Sequence, residues 1–391
     1  MGGLSGHMMH LYDDPELKFK DLRKFIIDAF NNNVEFIEKV DGFNIHVSYQ
    51  NGRVRYYRNK TDVKNGGMTR EDLKEKYKDK PGTWRVYNAA TKILEPFIES
   101  VKELFKWDAS QLKTMNVECV DGLTNIIPYK GSFVCIHNFF IWDRKDGHIV
   151  ADETLHQWNI PILRQYLPSD NSIRLPKRVN ILGESLEKMA SGTLCQMFIK
   201  RLNQIVGGTK SMYEYAREQY KTTDGGFFDS LKNPDLQQAL VLKVVFGISD
   251  PGLGRELKEV KDLVKDYYKQ SFDEWYKTTG RSIARAIKFQ MICFTTELGI
   301  YLMDRSYGYY NFSNKYLTCA IIDRQANAAE NELKKTHNTP VDPWIMWDFY
   351  FNRHINPLEG LVFKLNDQCY KLTGAFAFLN KFIGMIKYGR C

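Results

Sequence analysis

The strongest constraint on the fold is a long helical stretch that lies between two β-rich segments. Residues from about 150 to 355 are dominated by helical patterns. Before this stretch, apolar and polar residues alternate over 43–49, and strand patterns follow at 116–120 and 133–142. After it, strand patterns return within 361–372. The two β-rich segments are therefore predicted to join in one sheet-containing core, with the helices inserted between them.

A two-residue turn fixes the register of the first predicted hairpin. Asn51-Gly52 is a strong signal for such a turn, because both residues readily adopt the left-handed backbone that it needs. If these residues form the turn, Arg58 lies opposite Ile45 near the open end of the hairpin. A second turn is predicted at 366–367, between the last two strands.

Polar residues mark where several helices begin. Asp14 is predicted to cap the first helix, with Pro15 in its first turn, and Thr69 is predicted to cap a charged helix together with Asp72. Further helices are predicted over 89–105, 183–206, 233–246, 255–279, 281–304 and 317–336.

The change from strand to helical patterns and back predicts an α+β fold class and three segments. Residues 1–148 are predicted to form the first part of the core, and 149–355 a helical insertion domain. Residues 356–391 are predicted to close the core with a hairpin. No internal repeat or low-complexity linker divides the chain further.

Composition restricts the expected compartment and partners. The seven cysteines include no Cys-x-x-Cys spacing, which argues against a disulfide framework or a zinc ribbon and favours a reducing cytoplasm. No apolar run approaches the roughly 20 residues that a membrane-spanning helix needs, so no membrane partner is expected. The formal net charge of +8 fits a polyanion such as nucleic acid, and equally a solvated basic surface.

Two short motifs carry residues suited to nucleotide chemistry. Lys39-Val40-Asp41-Gly42 precedes the first hairpin, and Glu-Gly-Leu-Val-Phe-Lys at 359–364 opens the last. A lysine attacks as a free amine, and an ordinary pKa of about 10.4 leaves almost none at neutral pH. Burial, positive neighbours or a bound metal lower that pKa. Asp41-Gly42 predicts a tight turn that could position the amine, although a surface lysine before a hairpin fits the same four residues.

The order of these motifs resembles that of the covalent nucleotidyltransferases, the superfamily of DNA ligases, RNA ligases and mRNA-capping enzymes. The resemblance covers roughly 1–145 and 356–391. It is greatest with RNA-ligase-like proteins, in particular a group from tailed phages that is also similar at 6–12 and 370–376. It implies an antiparallel-sheet nucleotidyltransferase core of ATP-grasp-like type. The chain is expected to depart from the family in its large all-helical insertion and in lacking a C-terminal oligonucleotide-binding (OB) barrel.

The resemblance also implies roles for the side chains that match the family pattern. Lys39 would be the nucleophile, and Arg58 would contact the ribose and phosphate of ATP or orient the accepting end. Phe139, with Phe140 as the alternative, would stack on the purine. The nucleotide-binding residues implied in this way are Glu38, Lys39, Asp41, Gly42, Arg58, Glu118, Phe139, Phe140, Glu359, Lys364 and Lys371.

Metal binding and charge neutralisation are assigned by the same resemblance. Glu359 would help bind Mg²⁺ or Mn²⁺, and Glu118 would contact either the ribose or a water bound to that metal. Lys364 and Lys371 would neutralise the triphosphate. The family's last motif usually reads Lys-x-Lys, but Thr373 stands where the second lysine is expected. The residues implied to take part in catalysis are Lys39, Arg58, Glu118, Glu359 and Lys371.

These matches imply an ATP-dependent polynucleotide ligase that works through a lysyl-AMP intermediate. Its partner would be a nucleic acid with 5′-phosphate and 3′-hydroxyl ends. Only 20 residues follow Lys371, too few for an OB barrel, so RNA is favoured over DNA as the acceptor and capping is disfavoured. Two other functions stay open: nucleotidyl transfer to a protein or small molecule, and a non-catalytic nucleic-acid-binding role on the same scaffold.

The helical insertion has its own candidate for a nucleic-acid surface. Tyr267, Tyr268, Trp275 and Tyr276 are interleaved with lysines and arginines, a combination suited to base stacking and phosphate contact. Packing between helices is nevertheless the more usual role of each of these aromatic side chains.

Overall fold

The computed structural model describes residues 8–106, 109–121, 131–154, 160–179, 187–306, 359–366 and 368–373. Over these residues the fold is α+β, and most strand neighbours are antiparallel. The chain divides into two compact units. Of the described residues, the first holds those within 37–178 together with Glu359, and the second holds those within 8–36, 179–306 and 360–373.

The described residues form eleven strands and twelve α-helices. The strands are β1 (Met9–His10), β2 (Phe36–Lys39), β3 (Phe43–Gln50), β4 (Arg53–Tyr57), β5 (Gln111–Asp121), β6 (Ser132–Asp143), β7 (Ile149–Thr154), β8 (Ile173–Arg174), β9 (Arg178–Val179), β10 (Gly360–Leu365) and β11 (Gln368–Leu372). The helices are α1 (Phe19–Phe30), α2 (Lys60–Lys64), α3 (Arg70–Lys76), α4 (Pro81–Ser100), α5 (Ile160–Tyr166), α6 (Glu187–Val206), α7 (Met212–Thr223), α8 (Gly225–Ser230), α9 (Pro234–Val241), α10 (Gly254–Tyr268), α11 (Phe272–Trp275) and α12 (Arg281–Ser306). Two π-helical turns, Leu242–Phe246 and Tyr276–Gly280, follow α9 and α11.

The first unit is built on an antiparallel sheet with the strand order β4-β3-β5-β6-β7. The predicted turn between β3 and β4 is confirmed, since Asn51 and Gly52 have φ of 51° and 76°. The register that it fixes is also confirmed, with His46 opposite Tyr57. Arg58 is the residue directly after β4.

The two faces of this sheet differ in chemistry, because successive side chains of a strand point to opposite faces. One face packs against α4, and its core includes Ile45, Val47, Val86, Leu94, Met115, Val117, Ile136 and Phe139. The other face carries Asn44 from β3 and Glu118 from β5, which are directly opposite each other. This polar face is where the sheet holds the candidate site.

The second unit contains the C-terminal hairpin and most of the helices. β10 and β11 pair in the predicted register around a turn at Asn366, whose φ is 49°. On the apolar face of the hairpin, the Phe363 ring stacks on Phe25 of α1 at 4.2 Å between centroids. On the opposite face, Lys371 lies across from Val362, so this face is the more polar one.

The helices of the second unit follow several predicted boundaries and depart from one. α6 ends before Gly207, and the Asn233 side chain caps α9 by accepting from the Asp235 N–H at 2.9 Å. The predicted helix 255–279 is interrupted at Lys269, which has a φ of 56°. Ser271 then caps a new helix, because its hydroxyl accepts from the Glu274 N–H. The predicted helix 317–336 lies outside the described residues.

The predicted start of the first helix was wrong. α1 begins at Phe19, and Asp14 instead accepts from the Glu16 N–H at 2.8 Å in a local turn. The buried Asp14 carboxylate also accepts a hydrogen bond from the Tyr370 hydroxyl of β11. The predicted cap at Thr69 is confirmed, with the Asp72 N–H donating to its hydroxyl at 3.1 Å.

Replacing Tyr370 by phenylalanine tests whether this buried hydrogen bond stabilises the second unit. A hydrogen bond to a carboxylate contributes about 1.5–3 kcal/mol, and its loss leaves a buried acceptor unpaired. Urea unfolding of Tyr370→Phe is therefore expected to show a free energy of unfolding that is lower by about that amount. Tyr267, with 54% of its surface exposed, provides the matched Tyr267→Phe control. Equal stability of the two variants would contradict the assignment.

The compact units divide the chain differently from the three predicted segments. The first unit extends past residue 148 because β7 pairs with β6 in antiparallel orientation and β8 pairs with β6 in parallel orientation. The hairpin that begins at Gly360 groups with α1 and the later helices because its apolar face packs on Phe25. Among the helices that the structure describes, none combines the length and apolarity needed to cross a bilayer.

Candidate functional site

An ion pair joins the two motifs that lie at opposite ends of the sequence. The Lys39 ammonium, at the end of β2, contacts a carboxylate oxygen of Glu359, the residue before β10. The side chains keep 24% and 12% of their surface exposed, so the pair is largely removed from water. The fold therefore brings the predicted nucleophile against a predicted metal-binding carboxylate.

Two more carboxylates act on this pair. Burial lowers the pKa of Lys39, but the charges of Glu359, Glu118 and Asp41 raise it by more, so the net pKa is above the usual value. Burial raises the pKa of Glu359 to about 7, although the charge of Lys39 opposes this shift. One ammonium is thus paired with Glu359 and also lies in the field of Glu118 and Asp41, so negative charge is in excess.

Packing explains why the motif has an apolar residue at Val40 and a glycine at Gly42. Val40 is buried in an apolar cluster with Val120, Phe133 and Cys135 of the neighbouring strands. A Cβ on Gly42 would lie 2.7 Å from the Cys119 carbonyl oxygen and 2.7 Å from the Glu118 Cγ. Glycine is required here by the close approach of β5, which also brings Glu118 near Lys39.

Glu118 is accompanied by a histidine that the sequence analysis did not identify. The β5–β6 register shifts between Asn116 and Val117, which pair with Asn138 and Ile136, so His137 is the extra residue of a bulge. Its Nε2 lies 3.6 Å from a Glu118 carboxylate oxygen. Bulges re-aim side chains beside functional sites. A histidine inside an apolar strand pattern was the only sequence signal for this residue.

Arg58 lies beside the Asn44 backbone and the Tyr87 ring of α4. Its guanidinium donates to the Asn44 carbonyl oxygen and lies 5.9 Å from the centre of the Tyr87 ring. Its backbone N–H donates to the Asp62 carboxylate at 2.7 Å. Arg58 is therefore held at the end of β4, one strand away from Glu118.

The preference for Phe139 as the purine-stacking ring requires correction. Phe139 pairs with Met115 and lies fully buried on the α4 face, 6.0 Å from the Phe105 ring. Phe140 lies on the Glu118 face, but it is only 6% exposed and packs in a cluster with Trp142. The bulge at His137 moves the alternation by one residue, so a strand pattern alone could not assign the faces. Neither ring presents an open face.

Glu38 has a partner of its own. Its carboxylate forms an ion pair with Arg174 and accepts from the Lys177 N–H at 2.9 Å. The Arg174 guanidinium in turn lies 4.2 Å from the centre of the Phe133 ring. These contacts tie β2 to the segment before β9, and they account for Glu38 without a nucleotide.

The predicted triphosphate lysines belong to the second unit. Lys364 and Lys371 project from the same face of the β10–β11 hairpin. Lys371 pairs with Val362, and Val362 shares a face with Lys364 because the two are two residues apart on β10. Lys364 is exposed and Lys371 is half-buried.

The aromatic residues of the helical part divide into packed and exposed ones. Trp275 is fully buried, and the Tyr268 ring stacks on it with 5.3 Å between ring centroids. The Tyr268 hydroxyl donates to the Asp224 carboxylate at 2.8 Å. Tyr276 lies 5.8 Å from the Arg281 guanidinium. Tyr267 is 54% exposed. Packing between helices therefore accounts for Trp275 and Tyr268.

A second group of possible metal-binding residues lies at the β6–β7 turn. Ligand atoms of Asp143, Asp146 and His148 lie within 4.8 Å of one another. Asp143 already accepts from the Asp146 N–H at 2.7 Å, which is an ordinary turn interaction. The turn accounts for this arrangement.

Comparison with known proteins supplies no family for this chain. No protein-family model matches it, and no curated protein matches it significantly. Function is therefore inferred from the residues and geometry of the site.

Proposed function

We propose that this protein is an ATP-dependent polynucleotide ligase that transfers AMP through Lys39, with RNA as the favoured acceptor. The observation that carries the proposal is the largely buried Lys39–Glu359 ion pair in a cluster that also contains Glu118 and Asp41. A surface lysine before a hairpin would be solvated and would not pair with a carboxylate from the other end of the sequence.

The carboxylates hold the Lys39 side chain in one place before the reaction. Positioning of this kind accounts for much of the rate of phosphoryl transfer, because attacking and leaving groups must be in line. In the first step, the neutral amine forms a bond from its nitrogen to the α-phosphorus of ATP. The bond between that phosphorus and the bridging oxygen breaks, pyrophosphate leaves, and the amine proton is released.

The acidic side chains near Lys39 fit a divalent metal ion. Mg²⁺ and Mn²⁺ prefer carboxylate oxygens, and the excess negative charge around Glu359 is what a divalent cation would balance. Glu118 and Glu359 are the residues that would hold the ion. When bound, it would neutralise charge on the phosphates and compete with Lys39 for the carboxylates, which favours the free amine.

The later steps follow from the chemistry of a lysyl-AMP. A 5′-phosphate oxygen of the acceptor attacks the AMP phosphorus, and the bond to the Lys39 nitrogen breaks. A 3′-hydroxyl then attacks the activated 5′-phosphate, a phosphodiester forms, and AMP leaves with its phosphate. Arg58, whose guanidinium donates to the Asn44 backbone carbonyl oxygen, would orient phosphate groups in these steps.

The ligase assignment is tested by following the AMP from donor to acceptor. The chain is incubated with ATP labelled at the α-phosphate and Mg²⁺, freed of ATP, and then given 5′-phosphorylated RNA or DNA strands. Loss of protein label together with a joined RNA product would support the proposal. Transfer to another molecule would indicate a different acceptor, and a chain that never becomes labelled would contradict nucleotidyl transfer.

Replacing Glu359 by glutamine tests its role in holding the metal. The change keeps the size of the side chain but removes the charge that faces Lys39, so Mn²⁺ binding followed by electron paramagnetic resonance is expected to weaken by about tenfold or more. The rate of lysyl-AMP formation is expected to fall in parallel. Glu99 is exposed on α4, and Glu99→Gln serves as the control. Unchanged Mn²⁺ binding in Glu359→Gln would contradict the assignment.

A further inference from the structure

A chain of three asparagine side chains crosses the polar face of the first unit's sheet. The Asn44 amide nitrogen donates to the Asn116 side-chain oxygen at 2.6 Å. The Asn116 amide nitrogen then donates to the Asn138 side-chain oxygen at 2.7 Å. All the donated hydrogen bonds therefore run in one direction, from β3 through β5 to β6.

The direction of this chain is fixed at Asn44. Its amide nitrogen has two further acceptors besides Asn116, the Val117 carbonyl oxygen and a Glu118 carboxylate oxygen, each at 3.4 Å. Turning the amide over would place its oxygen against these three oxygen atoms, which is unfavourable. The Asn44 side-chain oxygen must therefore point away from them.

That oxygen is buried and has no hydrogen-bond partner among the residues that the structure describes. Native proteins rarely leave a buried acceptor unpaired, and each exception calls for an explanation such as strain, a bound water or ion, or a catalytic role. Asn44 lies next to residues of the proposed site: Glu118 is opposite it on β5, and the Arg58 guanidinium donates to its backbone carbonyl oxygen.

We infer that the Asn44 side-chain oxygen accepts a hydrogen bond from the nucleotide and so makes the site selective for a nucleotide that offers a donor. The inference rests on the proposed function, because it takes the nucleotide to bind on this face. ATP carries two suitable kinds of donor: the amino group on the purine and the hydroxyl groups of the ribose. A purine with a carbonyl oxygen at the same position would meet the Asn44 oxygen with a second acceptor and would be disfavoured.

Direct binding measurements distinguish these donors without relying on catalysis. Calorimetry with Mg²⁺ compares ATP, inosine triphosphate and 2′-deoxy-ATP on a Lys39→Arg chain, which keeps the positive charge but cannot form the adduct. The chain is expected to bind ATP about five- to thirtyfold more tightly than the analogue that lacks the contacted donor. Weaker inosine triphosphate binding would identify the purine amino group, and weaker 2′-deoxy-ATP binding the ribose hydroxyl.

The decisive comparison adds Asn44→Ala to the Lys39→Arg protein. The matched control adds Asn138→Ala, at the other end of the row of three asparagines, to the same protein. Asn44→Ala is expected to bring the three dissociation constants within about threefold of one another, while Asn138→Ala keeps the preference. A preference that survives Asn44→Ala would overturn the inference, and so would a chain that binds no nucleotide.

The two proposals fail in different ways. Selective binding that depends on Asn44, in a wild-type chain that forms no lysyl-AMP, would retain the inference and exclude the ligase. Lysyl-AMP formation with no selectivity at Asn44 would do the reverse.

Discussion

Lys39→Ala is expected to abolish the AMP-sized mass increase that the wild-type chain gains with ATP and Mg²⁺. The reason is chemical: Lys39 supplies the amine that lies by Glu359, Glu118 and Asp41, and alanine has no nucleophile. The expected loss is at least about a thousandfold in rate, because removing a nucleophile removes the covalent route itself. Intact-protein mass spectrometry at several times after ATP addition measures it.

Two further variants separate the nucleophile from the ion pair. Lys39→Arg keeps a positive charge beside Glu359 but cannot form the adduct, since a guanidinium stays protonated at neutral pH. It is expected to be inactive while keeping wild-type stability more closely than Lys39→Ala. Lys92→Ala removes an exposed lysine of α4 and is expected to be labelled normally. Full labelling of Lys39→Ala would show that the AMP is carried elsewhere.

Gly42→Ala is expected to destabilise the first unit and to slow lysyl-AMP formation together. Its Cβ would meet the Cys119 carbonyl oxygen and the Glu118 Cγ at 2.7 Å each. A backbone oxygen cannot rotate away, so β5 must shift, and Glu118 moves with it. Overpacking of this kind costs about 1–3 kcal/mol in the free energy of unfolding. Urea unfolding and the adduct rate provide the two measurements.

The matched control for this change is Gly82→Ala in α4. A Cβ at Gly82 would have no atom within 4 Å, and an alanine in a helix is favoured over glycine by about 0.5–1 kcal/mol. Gly82→Ala is therefore expected to be as stable as the wild-type chain or slightly more so, with normal labelling. If Gly42→Ala were equally harmless, close packing would not be the reason for glycine at this position.

Local signals predicted those parts of the fold that depend on nearby residues. The Asn51-Gly52 turn gave the correct register of β3 and β4 because a two-residue turn allows few alternatives. The cap at Thr69 was also correct, since its partner Asp72 lies three residues away. The start of α1 was not predictable in this way, because Asp14 is used by Tyr370, which is distant in sequence.

The candidate site shows the same distinction. Lys39 and Glu359 could be selected from their motifs, but only the fold shows that their side chains touch. The bulge at His137 shifts the alternation along β6, so the strand pattern indicated neither the face on which Phe139 lies nor the position of His137 beside Glu118. The asparagine chain from Asn44 depends on three strands meeting and has no sequence signature.

The position of the AMP on the wild-type chain tests the central claim most directly. Purified protein is treated with pyrophosphate to remove any AMP already attached, incubated with ATP and Mg²⁺, and weighed intact. The protein is then digested and the modified peptide is sequenced by mass spectrometry. The account predicts one AMP, joined through a phosphoramidate to Lys39 in the peptide that contains Val40-Asp41-Gly42. No mass increase after pyrophosphate treatment, or an AMP on a different residue, would contradict it.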